Sequence, residues 1–404
     1  MCYNSYEVIY IKKLVQSVRC KLQVEYNSDA YNALRDTVHK FADACNYTLD
    51  IAYIKGIHNQ FKIHHESYKE IRDRFGLTAN LAVRAIARVA QAMKSTRKKK
   101  SCPRHFKATS VDYDQRIFSL DVNSWTVSLS TINGRLHIPL AIGNYQRHLL
   151  LDQKPTFATL YFNKRNKTFY LDISIKNDVP DPDDLANSDS KIVGVDRGIY
   201  NVVATTNNIK ISGKEIQHTR RRFKHLRAKL QAKGTKSAKR TLQRLSGKEH
   251  RWMKYVNHCI SKTLVNSLNP GDTIVFEDLA NIRERIKSYR KQANFQISNW
   301  AFYQLEQFVE YKALAKGVKV VYIDPKYTSQ RCSICGDISK TNRDKHSFRC
   351  EQCGHVANAD TNAAYNIRSA HLAITNGLSS TSPKVASSLS YKPPALAVGY
   401  LTYA

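Results

Sequence analysis

The sequence predicts a multidomain α/β and β protein. An α/β domain of ribonuclease-H type fills the C-terminal half, and a small β-barrel interrupted by a helical lobe fills the N-terminal half. Three observations lead there. Residues 191–212 read as three short strands in an antiparallel meander, followed by alternating helices and strands. Residues 114–175 hold short segments rich in β-branched and aromatic residues, separated by turn signals such as Asn133-Gly134. Two Cys-x-x-Cys pairs lie between the last strand and the last helix of the α/β pattern, where a small metal-holding ribbon fits.

The first strand, SVRCKLQVE (17–25), alternates polar and apolar residues as a half-buried strand does. Asn27, Ser28 and Asp29 offer caps for a helix over about 30–55, with Leu34, Val38, Phe41, Ala42, Cys45 and Leu49 at helical spacing. Helices over 66–75 and 79–98 follow, and the last runs into Arg97-Lys98-Lys99-Lys100. Residues 30–104 are therefore a helical lobe. Residues 17–29 and 105–185 form the split barrel, from IFSLDV, WTVSLSTI, GRLHIPL, TFATLYF and TFYLDISI. The acidic, proline-bearing DVPDPDDLANSD (178–189) marks the boundary.

Beyond it, KIVGVD, IYNVVATT and IKIS make the meander. A long helical region (215–268), TIVFE (273–277), a helix over 298–316, KVVYID (319–324) and a short helix over 361–369 complete the α/β domain. That domain spans 186–328 and 358–375, with the cysteine-bearing insert at 329–357. Residues 376–404 are Ser/Pro-rich without a helical or strand period, and read as a disordered tail.

The chain carries 64 Lys+Arg against 33 Asp+Glu, a formal charge of +31. So positive a surface repels itself unless a polyanion neutralises it, which makes nucleic acid the first partner to consider. No run of 18 apolar residues exists, so no membrane-spanning helix is expected. The segment MCYNSYEVIYIKKLVQS has charges where a signal peptide needs its apolar centre. A cytoplasmic, nucleoid-associated protein is expected.

Three acids end their elements awkwardly. Asp196 closes the apolar strand containing Ile192, Val193 and Val195, and Glu277 closes Ile274-Val275-Phe276. Asp360 precedes the helix that starts at Thr361. Singly, each is an ordinary loop carboxylate or helix cap. Together in one domain they would be relieved by sharing divalent cations, and hard oxygen donors suit Mg²⁺ or Mn²⁺.

Cys332-x-x-Cys335 and Cys350-x-x-Cys353 stand 14 residues apart, each followed by a glycine (Gly336, Gly354) where a tight turn needs positive φ. Two such knuckles complete a tetrahedral Zn²⁺ site, and four thiolates leave no open position, so this zinc is structural. Cys2, Cys20, Cys45, Cys102 and Cys259 are scattered, and an odd total of nine argues for a reducing compartment rather than a disulfide scaffold. In the insert, Arg343 and its basic neighbours are placed to touch nucleic acid or to form a solvated basic loop.

Between Lys214 and Lys254 there are 15 Lys/Arg and two acids, Glu215 and Glu249. Apolar Phe223, Leu226, Leu230, Leu242, Leu245 and Trp252 suggest a pair of helices with one packed face. Like charges one turn apart destabilise a helix unless neutralised, so phosphate binding by residues such as Arg220, Arg221 and Arg222 is favoured over a solvated face.

The stretches GVDRG (194–198), VFEDLANIR (275–283), DPKYTSQRCSICG (324–336) and FRCEQCGHVANADTNAAYNI (348–367) resemble the RuvC-type nuclease core of the TnpB family. These are transposon-encoded, RNA-guided DNA endonucleases related to type V CRISPR effectors. The resemblance implies a RuvC-type domain with an inserted target-nucleic-acid-binding zinc ribbon, a wedge-like barrel and a recognition lobe. It implies that Asp196, Glu277 and Asp360 bind the catalytic Mg²⁺ or Mn²⁺. Some members carry a further acid where this chain has Asn358. It also implies a guide RNA that pairs with one strand of double-stranded target DNA, a short flanking motif read by barrel and lobe, and a single site that cuts both strands in turn. Within the lobe Asn80 is the candidate flank-reading side chain, with a helix cap as its plainer role. A monomer is expected. The guide would come from the transposon end or, in a compact type V CRISPR effector, from an array. A nuclease-dead, RNA-guided repressor is disfavoured because all three acids are present, and a plain zinc-ribbon DNA-binding protein leaves GVDRG and VFED unexplained.

Overall fold

In the computed structural model, the alternating segment near the N-terminus is β1 (Ile11–Leu22), which buries Val18, Cys20 and Leu22 on one face. It ends before the expected Glu25 because the chain is already turning into a helix cap. Ser28 Oγ donates to Glu25 O at 2.8 Å and accepts the Tyr31 N–H at 3.2 Å. The structure describes residues 11–99, 103–279, 302–376 and 384–385. They fall into two compact units, Val15–Asn177 and Met1–Leu14 with Asp178–Ala404.

In the first unit, α1 (Asp29–Ile54), α2 (Gln60–Phe75) and α3 (Ala79–Lys99) follow β1. α2 starts earlier than the expected residue 66, because the Asn59 side chain accepts the Phe61 N–H at 2.8 Å and caps it. Then come β2 (Ser110–Asp114), β3 (Phe118–Asp121), β4 (Thr126–Thr131), β5 (Gly134–Ala141), α4 (Asn144–Leu150), β6 (Phe157–Asn163) and β7 (Thr168–Pro180). The sheet order is β2-β6-β7-β1-β5-β4-β3. Its two edge strands, β2 and β3, are consecutive in the chain, joined by a turn closed by Ile117 N–H to Asp114 O at 3.0 Å. The turn brings the two edges together, and the sheet is a near-barrel. Ile132 and Asn133 make the β4–β5 hairpin turn, and Gly134, at φ 109°, opens β5 opposite Thr131.

The sequence predicts neither β2 nor α4. β2 places Asp112 and Asp114, residues that read as turn formers, on the face opposite the buried Val111 and Tyr113. A distant side chain makes Asp112 acceptable there. Arg88 of α3 donates to its carboxylate at 2.8 Å and to Ser110 O at 2.9 Å, and Thr159 adds a third bond at 3.1 Å. Burial alone would raise the Asp112 pKa, but Arg88 outweighs it and holds the carboxyl below its ordinary 3.8. Helical lobe and barrel, expected as two domains, thus share one continuous core, from Leu34, Phe41 and Ile86 to Tyr113, Leu160 and Leu171.

Arg88→Ala strips the partner from a largely buried carboxylate and should cost this unit about 3–5 kcal/mol, measured by denaturant unfolding. The wild-type pair should hold its full contribution above about pH 4 and lose it as pH falls through the depressed Asp112 pKa. A variant as stable as wild type at pH 7 contradicts this.

The second unit is built on one mixed sheet. The meander is β8 (Ile192–Asp196), β9 (Asn201–Thr205) and β10 (Lys210–Ser212). β11 (Thr273–Glu277) runs parallel to β8, and β12 (Lys319–Ile323) runs parallel to β11. α5 (Lys214–Lys233), α6 (Lys236–Asn266), α7 (Phe302–Lys316) and α8 (Ala359–Thr375) complete the pattern. The expected helix over 298–316 is described from Phe302 onward, and 298–301 lie outside the described residues. Val193, Val195, Ile274 and Phe276 pack with Ile260 and Leu264 of α6 and Leu305 and Val309 of α7. On the opposite face, Val275 meets Ile367 of α8. This is the expected ribonuclease-H-type layering.

The cysteine-bearing insert holds β13 (Arg343–Asp344), β14 (Ser347–Arg349) and β15 (Val356–Asn358) in a small antiparallel sheet. The 376–404 stretch, expected to be disordered, contributes β16 (Lys384–Val385), paired antiparallel to β12. Apart from Asn376 and this strand, that stretch lies outside the described residues. Among the described residues no helix is long and apolar enough to cross a membrane.

Candidate active site and metal centre

Strand geometry brings two of the acids together. β8 and β11 are parallel neighbours with Val195 opposite Phe276, so Asp196 and Glu277 end adjacent strands at one edge. Side chains alternate along a strand. Val193 and Val195 face α6 and α7, which turns Gly194 and Asp196 toward α8, and Glu277 shares that face with Val275. α8 lies very close there: a Cβ on Gly194 would meet Ala364 O at 2.2 Å and Arg368 N at 2.8 Å. Gly194, the first glycine of GVDRG, is what allows this approach.

α8 brings the third acid. Its N-cap is Asn358, whose side chain accepts the Thr361 N–H at 3.3 Å, so the helix begins two residues before the expected Thr361. Asp360 falls in the first turn, where unpaired N–H groups favour a negative charge. It is 4% exposed, accepts from Asn201 Nδ2 at 2.8 Å and pairs with Arg343 Nη2 at 2.9 Å. Glu277, 9% exposed, accepts a hydrogen bond from the Thr328 hydroxyl. Buried Arg197 donates to Glu277 O at 2.6 Å, pairs with Glu306 of α7 and lies over the Phe276 ring at 4.9 Å.

The electrostatics follow from this crowding. Burial, then the charges of Glu277 and Asp360, push the Asp196 carboxyl up to about 8, against the pull of Arg343 and Arg197. Burial also raises Glu277, against the Thr328 hydrogen bond and the two arginines. The three acids are thus electrostatic neighbours, although their carboxylate oxygens do not converge into a single metal-ligand group.

In the insert, Cys332 Sγ lies 3.7 Å from Cys353 Sγ, and Cys335 Sγ lies 3.5 Å from Cys350 Sγ. All four sulfur atoms lie within 4.8 Å of one another, a donor set that could hold a metal ion; it is the only such group of three or more His, Cys, Asp or Glu among the described residues. The two knuckles match. Gly336 N–H returns to Cys332 O and Gly354 N–H to Cys350 O, each at 3.0 Å, with φ 81° and 72°. Burial raises the Cys332 thiol, but the Cys335 and Ile334 N–H groups outweigh it and bring it down to about 7.

Two asparagines, missed in the sequence, join ribbon to site. Asn362 accepts the Ser333 N–H at 3.0 Å and donates to Arg331 O at 2.8 Å. Asn366 donates to Thr328 O at 2.9 Å and to Arg331 O at 2.6 Å. One face of α8 thus clamps the segment that carries both Thr328 and the first knuckle. Asn201 and Thr328 were missed too; the one available signal was their closeness in sequence to the motifs. The last residues of VFEDLANIR, from Ala280, lie outside the described residues.

The other candidates scatter. The long helical region breaks at Gly234, φ 64°, and Thr235 caps α6. Phe223 is buried near Trp252 and Arg227 pairs with Glu249, so α5 and α6 do pack, but Leu226 points outward. Arg221 and Arg222 are exposed and Arg220 is half-buried, which lowers its pKa. Asn80 is the second residue of α3. Thr78 O accepts the Ala82 N–H at 3.0 Å, so the capping position belongs to Thr78 and not to Asn80.

Residues 302–367 match the family model of the Cas12f1-like TNB domain. Over 227 residues the chain is 35% identical to the CRISPR-associated endodeoxyribonuclease Cas12f1 of Sulfoacidibacillus thermotolerans, covering 52% of this chain and 51% of that protein. It is 32% identical over 171 residues to a TnpB-like protein of Methanocaldococcus jannaschii, covering 41% and 60%. The chain thus spans about half the length of the curated relatives it matches. In fold it resembles the protein of a Cas12f1–sgRNA–target DNA complex, with TM-score 0.65 and 16% identity over 88% of this chain and 99% of that one. The TnpB resemblance carried by the four motifs is therefore borne out: the chain is similar in sequence to TnpB-like and Cas12f1 proteins, and its residues 302–367 match a Cas12f1-like TNB domain.

Proposed function

We propose that the chain is an RNA-guided DNA endonuclease that cuts double-stranded target DNA beside a short flanking motif, at a single RuvC-like site. The observation that supports this is that Asp196 and Glu277 end the parallel neighbours β8 and β11, with Asp360 at the start of α8 near enough to act on Asp196. Their mutual repulsion and hard oxygen donors fit Mg²⁺ or Mn²⁺. Bound there, such cations supply an activated water and stabilise a leaving oxygen. The protein's own part is positional. Asn201 and Arg343 fix Asp360, Thr328 fixes Glu277, and Arg197 locks the end of β11. The four thiols suit Zn²⁺, held structurally, so that the ribbon keeps Arg343 on Asp360.

A guide RNA supplies sequence recognition, which accords with a large basic surface on the protein. The Cas12f1-like TNB match also supports the compact CRISPR effector, which differs in the source of its guide.

Phosphate binding by α5 is tested by replacing Arg220, Arg221 and Arg222 with Gln. RNA binding should weaken alike for every guide sequence. The slope of log affinity against log salt should shrink by up to about 0.9 per lost duplex contact, or about 0.7 on a single strand. An unchanged slope would mark the cluster as a solvated face.

A further inference from the structure

We propose that Tyr200, packed against His346, and Tyr327 are base-stacking platforms that hold unpaired nucleotides of one DNA strand on two flanks of the acidic cluster. The inference rests on the nuclease reading of that cluster and adds the side chains that position its substrate.

Tyr200 is 65% exposed, and its ring meets His346 edge-on with centroids 3.9 Å apart. Both residues sit beside Asp360. Asn201, next to Tyr200 in the chain, donates to Asp360, and His346 O accepts the N–H of Ala359 at 2.8 Å. Tyr327, 45% exposed, immediately precedes Thr328, whose hydroxyl donates to Glu277. One ring therefore flanks Asp360 and the other flanks Glu277.

The backbone at Tyr327 carries a bulky side chain at a costly position. Its φ is 65°, a left-handed conformation that glycine adopts freely and a Cβ-bearing residue adopts at a cost. Two hydrogen bonds hold it there, from Gln330 N–H at 3.0 Å and Arg331 N–H at 2.9 Å to Tyr327 O. The turn thus carries a large, half-open ring where glycine would be unstrained. The Lys326 ammonium lies 5.1 Å from the ring centroid, steadying the ring and adding a positive charge beside it.

Rings of this kind suit unpaired bases. In a duplex the base faces are already stacked on their neighbours, whereas a single strand offers free faces, and every base has one. Such contacts are tolerant of sequence, as a site that leaves discrimination to base pairing requires.

The test uses the full-length protein without added divalent ions and a labelled thymidine oligonucleotide, read by fluorescence anisotropy. Tyr200→Ala and Tyr327→Ala should each weaken binding about 10-fold, Tyr200→Phe and Tyr327→Phe should restore it, and binding of a duplex oligonucleotide should not change. Wild-type protein should bind an oligonucleotide with central abasic sites as weakly as the alanine variants do, a result that requires no variant to fold. With Mg²⁺, the alanine variants should raise KM for single-strand cleavage and leave kcat near wild type. Equal losses on single strand and duplex, phenylalanine variants that behave like alanine, or indifference to abasic sites would each overturn the proposal. Binding is read without metal, so failure to cut counts against the nuclease reading and leaves this one standing on its own data.

Discussion

Asp196→Ala should lower DNA cleavage by about 10³-fold while guide-RNA binding stays near wild type. Asp196 stands between the other two acids electrostatically: Glu277, at the end of the neighbouring strand, and Asp360, in the first turn of α8, both act on it. Removing it takes away a shared donor, so Glu277→Ala and Asp360→Ala should have similar effects that do not add. The surface assigned to RNA is on other elements and should be untouched. Stability should move the opposite way. An acid whose folded pKa is raised to about 8 binds a proton in the native state that the unfolded chain gives up near 3.8, so its contribution falls as pH rises between those values. In metal-free protein at pH 8, Asp196→Asn should therefore raise Tm. A variant that cuts at the wild-type rate contradicts the site assignment.

Removal of the thiol site should have the largest effect on structure. Purified protein should hold one zinc per chain, and Cys332→Ser with Cys335→Ser should lose it. In so small a module the metal's binding energy is folding energy, on the order of 10 kcal/mol for structural zinc in peptides. The ribbon's buried cluster is only Cys332, Phe348, Cys350 and Ala359, too small to replace it. The double variant should show fast hydrogen exchange over 329–357, while β8 and β11 stay protected by their own core. Cleavage should fall too, since Arg343 and the Thr328 segment lose their support. Zinc retained at one per chain, with unchanged exchange, contradicts the ribbon.

Much of this was legible in the sequence because the signals are local. Apolar runs ended by Asp196 and Glu277 gave the strands, and cysteine spacing with Gly336 and Gly354 gave the knuckles. What was missed depends on contacts distant in sequence. β2 carries Asp112 because Arg88 reaches it from α3, 24 residues away. The roles of Asn201, Asn362 and Asn366 exist only once α8 is docked on the sheet. Arg343 read as one basic residue among several in a loop, and its place on Asp360 follows from how β13 sits over the helix start.

The most direct test of the central claim begins with the RNA that copurifies with the protein. That RNA is sequenced, and the purified complex is given Mg²⁺ and plasmid DNA carrying a match to the RNA's variable end beside a randomised flank. The expected result is cleavage of matched plasmids only, confined to a subset of flanks and absent with Asp196→Ala. Cleavage that ignores the RNA sequence, or persists in that variant, would contradict it.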